Sequence, residues 1–202
     1  MNQIKGRNQI QYILVGSVPT GNLKFLLHRL RGLCEEAALQ DKYFEDHESV
    51  YVMKDSSNSS KNFHLRVRRS LIQSDAPHQL RYLGTSETGD KSRAASMRSC
   101  IEVDCTENIR AFLEHIGFQF DHETILRGYL FKKGRMKICV SRLHKIPEKG
   151  VFQNAMQMTD SYLVEVTLNT LVQQDSLCED MKAFAEYLKP IVVLDKLDQK
   201  RL

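Results

Sequence analysis

Several absences in the sequence narrow what this protein does. Its 202 residues contain five cysteines but no CxxC pair, and no two histidines have zinc-finger spacing, so we expect no structural zinc site. An odd number of cysteines without such a pair favours reduced thiols over a disulfide framework. No apolar run approaches membrane-spanning length, and residues 1–9 lack the apolar core of a signal peptide. We therefore expect a soluble intracellular protein.

Common catalytic motifs are also missing. The sequence has neither a glycine-rich phosphate loop nor a GxSxG elbow. Its seven histidines are scattered, so we interpret each as a surface or hydrogen-bonded side chain rather than a ligand or base. We find no repeat of fixed period. The triplet Asp-His-Glu does occur twice, at 46–48 and 121–123, each time just before a predicted strand, and coincidence explains this as well as design does.

Composition and charge limit the number of domains and the kind of partner that we expect for this chain. With 42% hydrophobic residues the chain can bury one good-sized core, and we expect a single domain over residues 1–202. The net charge of +4 is far below the excess of a dedicated nucleic-acid binder. The charge is unevenly distributed along the chain, because the stretch from Lys61 to Arg98 contains eight Lys and Arg but only three Asp and Glu. The rest of the chain is slightly acidic.

Residues 106–146 predict a helix, a tight turn and a long basic hairpin. Thr106 is a candidate N-cap and Gly117 a candidate left-handed terminator. The hairpin strands are predicted at 123–131 and 135–143, with Gly134 in the turn. The predicted helix has an apolar stripe at Ile109, Phe112, Leu113 and Ile116. We expect this stripe to pack on a core.

The rest of the chain reads as short strands and two more helices. Asn22 is predicted to cap a helix that runs to Cys34, and Ser176 with Glu179 forms the capping-box pattern of the last helix. Residues 55–60 predict a polar hairpin loop. The remaining strands are predicted at 9–17, 50–53, 63–72, 80–83, 97–105, 161–168 and 191–194.

Seven to nine short strands and about three helices predict an α+β fold. Polar, hairpin-length connections favour an antiparallel sheet that closes into a barrel or folds as a sandwich. We adopt a mostly antiparallel β-barrel with a few flanking amphipathic helices.

The charged faces of the strands suggest a function for such a barrel. If they point inward, the lumen collects His64, Arg66, Arg68, Glu102, Asp104, Arg127 and Glu165. Arginines and carboxylates around a tunnel could hold a polyphosphate with Mg²⁺ or Mn²⁺. The order of elements resembles the tunnel-type triphosphate-binding barrels, which include RNA triphosphatases and adenylate cyclases.

The sequence departs from that pattern in its acids. The tunnel family alternates paired carboxylates on its first strand and on a late strand. Here residues 9–17 carry none, and Glu165 is followed two positions later by Thr167. We therefore predict no catalytic, metal or cofactor residue, and the charges equally fit solvated outer faces. Two alternatives stay open: a metal-dependent triphosphatase, and an RNA- or DNA-binding barrel that stacks bases on aromatic side chains.

Motifs spread over nearly the whole chain resemble the Mediator subunit 18 family. They lie at 26–34, 46–48, 65–70, 76–77, 80–84, 89–91, 121–123, 133–134, 136–138, 161–166 and 180–190. The resemblance implies a non-catalytic, nuclear scaffold in the head module of the Mediator coactivator of RNA polymerase II. It implies pairing with Mediator subunit 20, another barrel, and capture of a C-terminal helix of Mediator subunit 8.

That resemblance also changes how the charges are interpreted. A protein-binding barrel needs an exposed apolar patch and no membrane, cofactor or specific nucleic-acid site. We accordingly interpret the basic hairpin residues as surface and partner-facing charges: Arg127, Lys132, Lys133, Arg135 and Lys137.

Overall fold

Eight antiparallel strands close into a barrel. The structure, a computed structural model, describes residues 8–35, 42–54, 62–86 and 93–196. Around the barrel the strands follow the order β6-β2-β3-β4-β5-β1-β9-β7, and pairing of β7 with β6 closes it, while the two-residue β8 adds to β7. The strands are β1 (Gln9–Pro19), β2 (Tyr43–Lys54), β3 (Asn62–Ser70), β4 (His78–Leu83), β5 (Ser96–Cys105), β6 (Gln119–Lys133), β7 (Met136–Lys145), β8 (Met156–Gln157) and β9 (Ser161–Thr170). The barrel prediction is confirmed.

Among the described residues, three α-helices flank the barrel. They are α1 (Leu23–Leu33), α2 (Ile109–His115) and α3 (Asp175–Glu186), and short 3₁₀ turns lie at Thr20–Asn22 and Phe152–Asn154. Within the described ranges, none of these helices has the length and apolar character needed to cross a membrane.

The main hydrophobic core lies outside the barrel, between its outer face and helices α1 and α3. Strand residues such as Tyr12 and Val164 are fully buried there. Leu26 and Leu30 of α1 and Phe184 of α3 pack on the same cluster. Burying each large apolar side chain stabilises the fold by roughly 1.5–3 kcal/mol. The core therefore does not fill the lumen, which leaves the lumen open to polar side chains.

A smaller core lies under α2. Leu113 is 1% exposed and packs with Tyr51 and Val67 on the outer face of the barrel. The predicted stripe is therefore only partly right, because Phe112 and Ile116 are 56% and 47% exposed. The helix begins at Ile109 and has only seven residues, so it rests on the barrel along a single row.

Several predicted boundaries shift. Asn108, not Thr106, precedes α2, and neither Asn22 nor the start of α3 makes a side-chain capping bond. Residues 191–194 form no strand, and only Asp195 pairs with Val15 in a single bridge. Gly117 and Gly134 have positive φ, as the predicted terminator and turn require. The predicted loop at 55–60 lies outside the described residues.

Strand β2 is where the structure differs most from the strand boundaries that the sequence pattern predicts. The sequence pattern predicts a short strand at 50–53, yet β2 begins at Tyr43. The added residues include Asp46 and Glu48, and acidic residues are uncommon in strands, so the sequence pattern does not predict one there. Their side chains are accommodated because they face a polar barrel interior instead of an apolar core.

Candidate functional site

The barrel interior contains a buried carboxylate held by three arginines. Glu48 on β2 is 5% exposed at its side chain. Arg66 and Arg68 of β3 each place a terminal nitrogen 2.8 Å from its oxygens, and Arg81 of β4 lies 3.6 Å away. Burial raises the pKa of Glu48, but the three guanidinium groups outweigh it and lower the pKa from 4.5 to about 2. Glu48 is therefore a carboxylate at neutral pH.

Further polar contacts carry this network around the barrel wall. Arg81 Nε donates to Glu102 across 2.6 Å, which links β4 to β5. Arg98 of β5 donates to Gln11 of β1 across 2.8 Å, and the Gln11 amide donates to Asn169 of β9 across 3.0 Å. Polar side chains that hydrogen-bond to one another across neighbouring strands thus line this part of the barrel interior.

One end of the barrel opens into a cavity of about 450 Å³. It is lined by charges of both signs, the cations Arg68 and Lys137 and the carboxylates Asp46 and Asp104. Burial raises the pKa of Asp46. Burial, with Glu165 nearby, also raises the pKa of Cys139 to about 11. Over the part of the chain that the structure describes, no three His, Cys, Asp or Glu side chains group as a metal site would.

Most of the predicted lumen residues do lie inside. Arg66, Arg68 and Glu102 join the network around Glu48, Asp104 lines the cavity, and Glu165 interacts electrostatically with Arg98.

Two predicted residues lie elsewhere. His64 shares the inward side of β3 but stands exposed near the strand's end. Arg127 lies on the outer face, because Leu130 of the same strand lines the cavity and side chains alternate. Its guanidinium pairs with Glu45 at 2.7 Å.

The sequence pattern missed other interior charges. Asp46 and Glu48 alternate along β2 and could have been recognised as a carboxylate pair had the strand been extended to Tyr43. Arg81, Arg98 and Lys137 carry no distinctive motif, so only the folded barrel brings them to the lumen.

A second polar cluster lies outside the barrel. His47 Nε2 is 2.8 Å from Glu123 Oε2, and Arg110 of α2 lies 3.1 Å from His47 Nδ1. The backbone N–H of Gly150 donates to the other oxygen of Glu123. Burial lowers the pKa of His47, so the ring is neutral, accepts from Arg110 and donates to Glu123. His47 and Glu123 come from the two Asp-His-Glu triplets, which the fold places on neighbouring strands.

Comparison with solved structures assigns the fold to known barrels. A chain of the Schizosaccharomyces pombe Mediator head module matches with a TM-score of 0.72 at 15% identity, covering 93% of this chain and 98% of that one. The RNA triphosphatase domain of a mimivirus mRNA capping enzyme matches with a TM-score of 0.54 at 11% identity, covering 92% of each. At such identities the likeness concerns the fold alone.

Comparison of sequences is more specific. Mediator of RNA polymerase II transcription subunit 18 of Danio rerio is 45% identical over 195 residues, which cover 96% of this chain and 92% of the relative. The protein of the same description from Xenopus tropicalis is 42% identical over the same coverage. The model of the family described as Med18 protein matches residues 10–202. The chain therefore belongs to the Med18 family.

Proposed function

We propose that the chain is a non-catalytic, nuclear scaffold subunit of the Mediator coactivator, acting through protein surfaces in transcription by RNA polymerase II. Family membership and the names of its relatives support the assignment to Mediator, and the fold agrees with a chain of the head module. The single observation that carries the non-catalytic part is the occupation of Glu48 by Arg66, Arg68 and Arg81.

Glu48 is a poor metal ligand for electrostatic reasons. Mg²⁺ and Mn²⁺ prefer several oxygen ligands of negative charge. Both oxygens of Glu48 already contact guanidinium groups at 2.8 Å, and a divalent cation brought to the same carboxylate would be repelled by three positive charges at close range. Glu48, together with Asp46 beside Arg68 and Glu102 beside Arg81, also offsets the charge of the arginines that would otherwise hold a triphosphate.

The alternative, a metal-dependent triphosphatase, is favoured by the likeness to the triphosphatase domain and is testable directly. The purified chain is incubated with a nucleoside or RNA triphosphate and Mn²⁺, and phosphate release is measured. We expect no turnover above the rate without protein. Turnover that disappears when Arg66, Arg68, Glu102 and Glu165 are replaced by alanine would overturn the scaffold assignment.

The proposed partners are Mediator subunit 20 and a C-terminal helix of subunit 8. An open groove of about 340 Å³ between α3 and the β6–β7 turn supports the second contact. Its floor is apolar, which suits the hydrophobic face of a helix. The groove is lined by Met136, Leu168, Leu177, Ala183, Phe184 and Tyr187, with Lys133, Arg135 and Asp180 at its margins.

Co-expression with subunits 20 and 8 followed by size-exclusion chromatography tests both contacts. We expect a ternary complex that co-elutes. Ala183→Glu, which places a charge on the groove, should release subunit 8 while subunit 20 stays bound. Lys182→Glu, on the neighbouring exposed position of α3, serves as the control and should leave both bound. Failure of the unmodified chain to co-elute with either subunit would contradict the proposal.

A further inference from the structure

Three basic side chains stand in a row on the outer face of the barrel. His47 of β2 is the register partner of Arg69 of β3. Arg68 pairs with Gln79, which sets Arg69 beside His78 at the start of β4. Helix α2 lies over this row and contributes Arg110, whose guanidinium reaches His47 at 3.1 Å. Four elements therefore bring basic groups to one place.

No ion pair joins either guanidinium group of this cluster, that of Arg69 or that of Arg110, to the residues that the structure describes. Burial lowers the pKa of Arg69, and Arg110 is near enough to lower it further. The acidic group facing Arg69 is Glu123, and Glu107, in the turn before α2, faces His78. Glu123 already accepts from His47 and from the backbone of Gly150. Both oxygens of Glu123 are therefore taken, and Glu107 faces His78, so neither carboxylate pairs directly with a guanidinium group of the cluster.

The cluster also holds nitrogens with no partner. Nε of Arg69, Nε of Arg110 and Nδ1 of His78 are buried without a hydrogen bond. No ion pair joins Arg69 to any of the described residues, and its guanidinium lies over the ring of Phe152 at 5.4 Å. Buried N–H groups nearly always have an acceptor in folded proteins. By contrast, the nearby outer-face Arg127 is fully paired with Glu45.

We propose that Arg69, Arg110 and His78 form a binding site for a phosphate group, either the free ion or the side chain of a phosphoserine or phosphothreonine. Water could satisfy the nitrogens, but it would leave the two guanidinium groups without a direct counter-ion. A phosphate group supplies several acceptor oxygens and up to two negative charges, which matches convergent donors from two arginines and a histidine. A carboxylate offers fewer oxygens and one charge, so it fits less well.

Inorganic phosphate is the first probe. The full chain is titrated with phosphate at constant ionic strength, and binding is followed by the side-chain NMR signals of arginine Nε–H and of the histidine rings. We expect the signals of Arg69 and His78 to shift together, and acetate to bind much more weakly. Arg69→Gln should weaken phosphate binding by about tenfold or more, the usual effect of losing one charged hydrogen bond.

Two matched variants make the result decisive. Arg127→Gln removes an equal charge from the same outer surface but from an arginine that is already paired, and it should bind phosphate like the unmodified chain. Arg66→Gln does the same inside the barrel. Equal binding by Arg69→Gln and the unmodified chain would overturn the site, as would an effect of Arg66→Gln or Arg127→Gln as large as that of Arg69→Gln.

Peptides distinguish the source of the phosphate. A phosphoserine peptide that competes with inorganic phosphate, while its unphosphorylated form does not, assigns the site to a modified protein. Competition by phosphate without any preference for the phosphopeptide assigns it to the free ion. Stronger competition by single-stranded RNA than by either would overturn the proposal in favour of a phosphodiester site. Co-elution with Mediator subunits plays no part in these measurements, so this inference and the proposed function can fail separately.

Discussion

Nε2 of His47 lies 2.8 Å from Oε2 of Glu123, and this contact joins β2 to β6 beneath α2. The two side chains are 0% and 4% exposed. Arg110 adds α2 to the same network, and the N–H of Gly150 adds the segment that follows β7. The neutral His47, which donates to Glu123 and accepts from Arg110, and the Glu123 carboxylate, which also accepts from Gly150, thus connect four parts of the chain.

The burial of His47 predicts a fold that weakens in mild acid. Its pKa is lowered from 6.5 by burial, so the unfolded chain takes up a proton before the folded chain does as the pH falls. The free energy of unfolding should therefore decrease from about pH 7 towards pH 5. Urea unfolding at a series of pH values measures this.

His47→Gln supplies the comparison. The variant should be less stable at neutral pH, since a hydrogen-bond partner is lost, but its stability should change less between about pH 7 and pH 5. His78 and His144, whose pKa values burial also lowers, are common to both proteins and cancel in the difference. Parallel stability profiles would show that His47 does not titrate as described.

Glu48→Gln is expected to destabilise the barrel strongly. The substitution leaves Arg66, Arg68 and Arg81 without their shared carboxylate, and removing one partner from a buried ion pair costs about 3–5 kcal/mol. Glu102→Gln is the matched control, since Arg81 is the one ion-pair partner of Glu102 among the described residues and the Glu102 side chain is 35% exposed. Its loss should cost less than about 1 kcal/mol. Similar urea midpoints for the two variants would contradict this account of the interior.

The same carboxylate predicts acid sensitivity in the unmodified chain. The pKa of Glu48 is lowered from 4.5 to about 2, which corresponds to roughly 3 kcal/mol of stability. This contribution is fully present above pH 4.5 and is lost as the pH falls towards 2. Unfolding followed by circular dichroism across that window should show a steeper loss for the unmodified chain than for Glu48→Gln.

Gly128→Ala tests the seam that closes the barrel. A methyl group there would overlap the carbonyl oxygen of Val140 and lie 2.6 Å from Cα of Ser141 on the neighbouring strand. Forcing the strands apart should cost about 1–3 kcal/mol or more. Gly32→Ala in α1 meets no atom within 4 Å and should stabilise the chain by up to about 1 kcal/mol. Equal thermal midpoints for both variants would be inconsistent with this close approach.

Leu113→Ala and Phe112→Ala test how α2 packs. Leu113 is 1% exposed, so its truncation should cost about 2–5 kcal/mol. Phe112 is the larger side chain, but it is 56% exposed, and its truncation should cost less than about 1 kcal/mol. If urea unfolding showed a larger loss of stability for Phe112→Ala than for Leu113→Ala, Phe112 would be part of the packed face, as the sequence pattern predicts.

Local pattern was a good guide wherever one side of an element met an apolar surface. Alternation of apolar and polar residues predicts β3, β5 and β9, and the positions of Gly117 at a helix end and Gly134 in a turn predict their positive φ. The pattern failed at β2, because Asp46 and Glu48 are satisfied by arginines from other strands. It also failed at α2, since a helical stripe does not say how much of it a neighbour covers. That residues 1–202 form one domain stays a prediction.

The sequence by itself determined the class of fold, the family and the scarcity of acids on the first and late strands, since these depend on residue types and on short-range periodicity. The tertiary structure decided which charges meet. Glu48 faces three arginines, and the two Asp-His-Glu triplets meet at His47 and Glu123. Both contacts form because barrel closure and strand register bring together residues that are 18 to 76 positions apart in the sequence. Electrostatic interactions depend on distances in space, which periodicity along one chain does not encode.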